Sequence, residues 1–215
     1  MVNGFLPNCL DQVLCLGAHA DDIEIGCGGT LLRLVRKYPK ASFVWVTLSS
    51  DAERADETRA AANKLLSGAC HRTLRIESFR GSYFPYQGAQ IKDYFETLKS
   101  LVPDIVFTHA RDDFHQDHRI VSELTWNTFR NHTILEYEIP KYDGDLGRPN
   151  AFVPLTTQDL GTKIDVLMEC FPSQRNRNWF TRSTFEGIAR LRGIECGAAE
   201  GYAEGFFMRK TLLFP

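Results

Sequence analysis

The sequence predicts an α/β fold with a mostly parallel central sheet and helices on both faces. Three observations carry this. Strand-like and helix-like segments alternate from residue 13 to about residue 130. The strand-like segments are short, nearly continuous apolar runs, the pattern of strands buried on both faces. Polar clusters sit where two of those runs end. Such alternation builds parallel βαβ units.

Residues 13–17 (VLCLG) read as a central strand closed by glycine. Residues 25–38 read as a helix with Leu31, Leu32, Leu34 and Val35 on its apolar face and Pro39 behind it. Residues 41–48 are rich in β-branched and aromatic side chains and form the next strand, with 49–51 as its loop. A helix over 53–66 stops at Gly68. Residues 72–79 alternate as a strand, 81–88 make an aromatic loop, and a helix over 91–101 ends before Pro103. A strand over 104–108, a helix over 117–129 and a strand over 133–139 follow. Residues 140–149 hold two glycines and two prolines and read as a loop. Helices over 159–168 and 183–192 and a closing strand over 205–213 complete the chain.

A length of 215 residues suits one good-sized domain spanning 1–215 and is short for two. Hydrophobic residues at 43% and charged residues at 24% are ordinary globular values. A net charge of -2 lacks the basic excess of a nucleic-acid binder. The start has no basic segment before its apolar stretch, so no signal peptide is expected. No apolar run reaches the roughly 18 residues of a membrane span. Six scattered cysteines without a CxxC pair read as reduced thiols of a cytoplasmic protein. No heptad or edge feature fixes an oligomeric state, and a homo-oligomer stays open.

The first polar cluster is GAHADDIEIGCGGTL, residues 17–31. His19, Asp21 and Asp22 directly follow a strand end, where open parallel sheets bind ligands. Gly26, Gly28 and Gly29 fit a tight turn into the next helix. A phosphate loop is disfavoured: GxGxxG is absent, the P-loop lysine is missing, and two carboxylates would repel a pyrophosphate. Helix capping by Asp21 or Asp22 and a merely packed histidine remain open for this run alone.

The second cluster is THARDDFHQDHRIV, residues 108–121. It gathers His109, Asp112, Asp113, His115, Asp117 and His118, with three of the chain's six histidines. A solvated acidic loop explains the aspartates but not histidines among them at a strand end. His118, in the first turn of a helix, can point back over the sheet edge. Two histidines and one carboxylate, with a position open to water, are a common catalytic zinc set. His19, Asp22 and His118 supply it. Asp21 is then free to take a proton from water. His115 can act on a substrate carbonyl, and Asp117 can orient an imidazole.

GAHADDIEIGCGGTL together with HQDH resembles the PIG-L or LmbE-like family of zinc-dependent N-deacetylases. The resemblance rests on Ala18, His19, Asp21, Asp22, Glu24, Gly26, Gly28, Gly29 and Thr30, and on His115, Asp117 and His118. Ala20 stands where the family carries proline, which touches loop stiffness and not ligand supply. Arg54 and Glu57, followed by Ala61 and Gly68, resemble the family's Arg-x-x-Glu helix. GYAEGF, residues 201–206, resembles its Tyr-Ala-Glu-x-Phe stretch, though a docking turn before the last strand would also account for it. FRGSYFPYQG departs from members with an Asp-Gly pair there.

The resemblance implies a Rossmann-like three-layer αβα fold and Zn²⁺ on His19, Asp22 and His118. It implies Asp21 as general base, and His115 as acid and oxyanion partner with Asp117 behind it. The implied reaction is hydrolysis of the N-acetyl group of an amino sugar to acetate and a free amine. Hydrolysis of another amide or of a thiol–sugar conjugate is the alternative. A non-catalytic carbohydrate-binding protein is the third reading, and the intact Asp21 and HQDH argue against it.

Sugar pockets combine polar fingers with aromatic walls. The candidates are Arg54, Tyr83, Tyr86, Arg111, Tyr142, Asp143, Gln174, Arg175 and Trp179. The stretch FPSQRNRNWFTR, residues 171–182, mixes arginines with aromatics. It reads equally as a site for a charged substrate part, such as a nucleotide diphosphate, or as a solvated basic surface.

Overall fold

The computed structural model describes residues 9–212. In chain order it runs β1 (Gln12–His19), α1 (Asp22–Lys37), β2 (Ser42–Ser49), α2 (Ala52–Leu65) and β3 (His71–Ile76). A 3-10 turn (Phe84–Gln87), α3 (Gly88–Leu98), β4 (Ile105–His109), α4 (Gln116–Thr128) and β5 (Thr133–Tyr137) follow. The last part holds β6 (Ala151–Leu155), α5 (Thr157–Cys170), a second 3-10 turn (Pro172–Gln174), α6 (Arg182–Cys196) and β7 (Tyr202–Phe207).

The strands form one seven-stranded sheet in the order β3-β2-β1-β4-β5-β7-β6. The first five are parallel neighbours. β7 runs antiparallel to both β5 and β6. Side-chain alternation along β1 explains the layers. Val13 and Cys15 enter one core with Leu31 of α1, Leu65 of α2 and Leu167 of α5. Leu14 and Leu16 enter a second core with Ile91 and Phe95 of α3 and Val121 of α4. With both faces covered, every position of the strand must be apolar, and this produces the unbroken hydrophobic run in the sequence. The strand order reverses between β1 and β4, leaving a crevice beyond their carboxyl ends. His19 and His109 are the last residues of those two strands.

Three details differ from the sequence expectation. α1 begins at Asp22, so the glycines lie inside the helix and not in a turn before it. β6 was not expected; AFVPL carries a proline, which an edge strand tolerates because one side of its ladder is unpaired. The closing strand β7 covers Tyr202–Phe207 and ends before the predicted 205–213. Position 213 lies outside the described residues, as does the stretch 1–8 on which the leader expectation partly falls. No helix among the described residues is long and apolar enough to cross a membrane.

α1 and α5 are joined through Asp159. Its carboxylate closes a capping box with Thr156 and accepts from Arg36 at 2.6 and 3.0 Å. Burial opposes ionisation of Asp159, but the Arg36 and Thr156 hydrogen bonds win and hold it below the usual aspartate range. A depressed folded pKa stabilises the fold above the unfolded value of about 4, and that stabilisation disappears as pH falls through the lower folded value. Asp159→Asn is expected to cost roughly 1 kcal/mol at neutral pH. It should also flatten the acid side of the melting-temperature profile followed by circular dichroism.

Candidate metal centre

The site is built where β1 passes into α1. Asp21 adopts a left-handed conformation with φ 89°, which strains any residue bearing a Cβ. This kink separates two adjacent carboxylates. Asp22 turns back, and its Oδ2 accepts from the His19 backbone N–H at 2.7 Å. Asp21 instead meets the Arg54 guanidinium at 3.2 Å, and Arg54 also donates to the Ala20 carbonyl. Opposite, His115 caps α4, its Nδ1 accepting from the Asp117 backbone N–H at 3.2 Å. His118 follows within the first turn.

Two imidazole nitrogens and the two oxygens of one carboxylate converge. His118 Nε2 lies 3.3 Å from His19 Nδ1. Asp22 Oδ2 is 3.5 Å from His19 Nδ1, and Asp22 Oδ1 is 3.6 Å from His118 Nε2. Around a tetrahedral zinc with bonds of about 2.0–2.1 Å, ligand atoms stand roughly 3.3 Å apart. The outer nitrogens fix the tautomers. His19 Nε2 lies 2.9 Å from Asp117 Oδ2, and His118 Nδ1 lies 2.9 Å from Asp113 Oδ2. An ionised carboxylate only accepts, so each outer nitrogen carries a hydrogen, and the inner nitrogens face one another and the Asp22 carboxylate.

Burial favours neutral His19, but hydrogen bonds to Asp117 and Asp22 outweigh it and push its pKa up to about 10. A divalent ion drawn by the same negative field would take the place of the proton on the inner nitrogen. Burial and the neighbouring His109 push His118 down to about 3, leaving it neutral, as a ligand must be. Burial pushes Asp21 up to about 7 against the pull of Arg54. Burial and His19 lower His115; with Nδ1 accepting, its Nε2 carries the proton.

Two groupings among the described residues are close enough to hold an ion, His19, His115 and His118, and Asp22, His109 and His118; neither is the set read from the sequence. The fully buried His109 already accepts from the Ala18 N–H through Nε2 at 3.0 Å. Its ring stacks on His118 at 3.9 Å and supports that imidazole from below. The set read from the sequence takes His19 and His118 from the first grouping, and Asp22 and His118 from the second.

A family model described as PIG-L, GlcNAc-PI de-N-acetylase, matches residues 14–129, over half of the chain. The chain belongs to the PIG-L family. Both polar clusters lie inside the matched span. An uncharacterized deacetylase of Escherichia coli (strain K12), YaiS, is 31% identical over 139 residues, covering 60% of this chain and 74% of the relative. N,N'-diacetylchitobiose deacetylase from Pyrococcus horikoshii shares the fold at 23% identity, with TM-score 0.69 and 92% and 83% of the two chains covered. So does GalB, a 4-carboxy-2-hydroxymuconate hydratase from Pseudomonas putida KT2440. It is 15% identical with TM-score 0.74, and 95% and 98% of the two chains are covered. One frame therefore carries different reactions, and the chemistry lies in the side chains.

In this PIG-L member a cavity of about 320 Å³ opens over the cluster. His19, Asp21, Asp22, His115 and His118 lie in its lining, as do Arg54, Tyr142, Asp143, Gln174 and Trp179 of the sequence candidates. Ser82, Ile139, Lys141 and Arg177 line it too and were not foreseen. Tyr83, Tyr86, Arg111 and Arg175 lie outside the lining. Arg175 folds back on the Met168 carbonyl at 2.8 Å, and Arg111 lies over the Trp126 ring. Tyr83 stacks on Arg80, and Tyr86 is 83% exposed. Asp113 had no assigned role, yet it orients His118 and accepts from Lys141 at 3.0 Å. A larger cavity of about 640 Å³ between α1 and β6 has no histidine or carboxylate in its lining.

Zinc at about 100 times its dissociation constant should stabilise the metal-stripped protein by about 2.7 kcal/mol in a thermal-shift titration. Asp22→Ala should abolish that shift.

Proposed function

We propose that this chain is a zinc-dependent hydrolase that removes the acetyl group from the nitrogen of an amino sugar. His19, Asp22 and His118 hold the zinc, Asp21 is the general base, and His115 is the donor to the carbonyl oxygen. The observation that carries this is the close approach of His19 Nδ1, His118 Nε2 and the Asp22 carboxylate, with the Arg54-held Asp21 carboxylate beside them. Membership of the PIG-L family and the likeness to a diacetylchitobiose deacetylase support the amino-sugar substrate. Residues 1–215 are taken as one deacetylase domain. Six free cysteines favour a reducing compartment, the cytoplasm.

When bound, zinc supplies a Lewis acid that polarises the acetyl oxygen and acidifies water. Asp21, with a pKa near neutrality, accepts the proton of the attacking water and keeps it close to the scissile bond. Arg54 holds that carboxylate in place and keeps its pKa from rising further. His115 donates Nε2–H to the oxygen on which negative charge develops. Its capping bond to the Asp117 backbone fixes the ring for this. The C–N bond breaks, the amine leaves with the proton held by Asp21, and acetate remains.

Two pocket residues suit a charged substrate such as a nucleotide-linked sugar. Arg177 reaches Gln174 at 3.0 Å and has no carboxylate partner among the described residues. Trp179 offers an aromatic wall beside it. Arg177→Gln should raise KM about tenfold for a nucleotide-linked N-acetyl sugar and leave the uncharged sugar unchanged.

The principal test is amine release from a panel of N-acetylated sugars by the zinc-loaded protein. Asp21→Asn should lower kcat at least about 100-fold with zinc content intact. A variant with full activity would remove Asp21 from the mechanism.

A further inference from the structure

α1 is broken at Cys27, where φ is -143°. In an unbroken helix the Gly29 N–H would donate to the Ile25 carbonyl. Here Gly29 donates to Glu204 Oε1 at 2.9 Å, and Thr30 donates to Glu204 Oε2 at 2.6 Å. Lys163 Nζ donates to the Ile25 carbonyl at 2.6 Å and to Glu204 Oε1 at 2.7 Å. A lysine–carboxylate pair therefore stands where a backbone hydrogen bond would be. Side chains inserted into a helical ladder are a recognised cause of sharp kinks.

We infer that Lys163 and Glu204 are positioning residues for the metal centre: their ion pair sets the angle of the first turn of α1 and so the placement of the Asp22 carboxylate. The inference rests on the zinc reading above. The turn from Asp22 to the break is little more than one helical turn, too short to hold itself in water. Two outside contacts hold it. Tyr137 packs beneath Gly26, where an added Cβ would come within 2.2 Å of the ring. The second contact is the Lys163–Glu204 pair, both side chains 4% exposed. The glycines after the break serve the same insertion: a Cβ on Gly29 would meet Leu155 at 2.7 Å and Glu204 Oε1 at 3.2 Å.

A buried ion pair is a poor source of stability, since well-packed apolar replacements are often neutral or better. Geometry is the more specific thing this pair supplies. Lys163 comes from α5 and Glu204 from β7, both beyond the span matched by the family model. The last third of the chain thus reaches the metal centre through the break in α1.

The test measures zinc affinity of the metal-stripped full chain by competition with a chromophoric chelator. The visible spectrum of the cobalt-substituted protein and the melting temperature are recorded in parallel. Glu204→Gln and the double variant Lys163→Leu/Glu204→Leu should each weaken zinc at least tenfold and shift the cobalt bands. The double variant should keep its fold. Asp159→Asn, which loosens α1 from α5 away from the break, should leave zinc affinity unchanged. Wild-type zinc affinity and cobalt spectrum in either folded variant would overturn the inference, as would an equal loss in Asp159→Asn. A wild-type chain that binds no zinc removes the function reading together with this one. Zinc-binding wild type with unaffected variants removes this one alone.

Discussion

The carboxylate of Asp22 is the point on which the site depends. It closes the β1–α1 turn through the His19 backbone and faces the inner nitrogens of His19 and His118. A buried anion is costly unless positive charge or hydrogen bonds compensate it. The surroundings are arranged to do so: Asp117 and Asp113 take up the outer nitrogens and leave both imidazoles aimed inward. Asp117 and Asp113 thereby decide which imidazole nitrogens face Asp22. A sheet buried on both faces supplies the rigid floor, because β1 and β4 cannot shift without disturbing two cores.

Much of this was legible in the sequence because the chemistry is local. His19, Asp21 and Asp22 lie within four residues, and His115, Asp117 and His118 lie within another four. The apolar runs before them say that both stretches leave buried strands, and parallel topology brings equivalent ends together. The partner choice was not legible. Asp113 and Asp117 flank His115 at the same distance in sequence, and only the path of the loop sends Asp117 to His19 and Asp113 to His118. The pocket walls were half legible for a similar reason. Arg175 and Arg177 are near neighbours in a short irregular turn; one folds onto a helix carbonyl and the other lines the cavity. No periodicity in the sequence distinguishes them.

β6 and the break in α1 were hidden for different reasons. A five-residue strand with a proline carries a weak signal, and an edge position explains why it forms. The glycines before and after the break suggested a turn because glycine often marks one. Their actual role is close approach, admitting Tyr137 on one side and Leu155 with Glu204 on the other. That distinction needs the partner side chains, which come from far along the chain.

The left-handed backbone at Asp21 has a consequence for how this protein can change. Glycine would adopt φ 89° without strain, whereas aspartate there costs on the order of 1–3 kcal/mol. Folding and reactivity therefore pull in opposite directions at one position. Selection for thermal robustness alone would drift toward glycine at residue 21 and discard the carboxylate, so any stabilising change at this position removes the group proposed to move the proton.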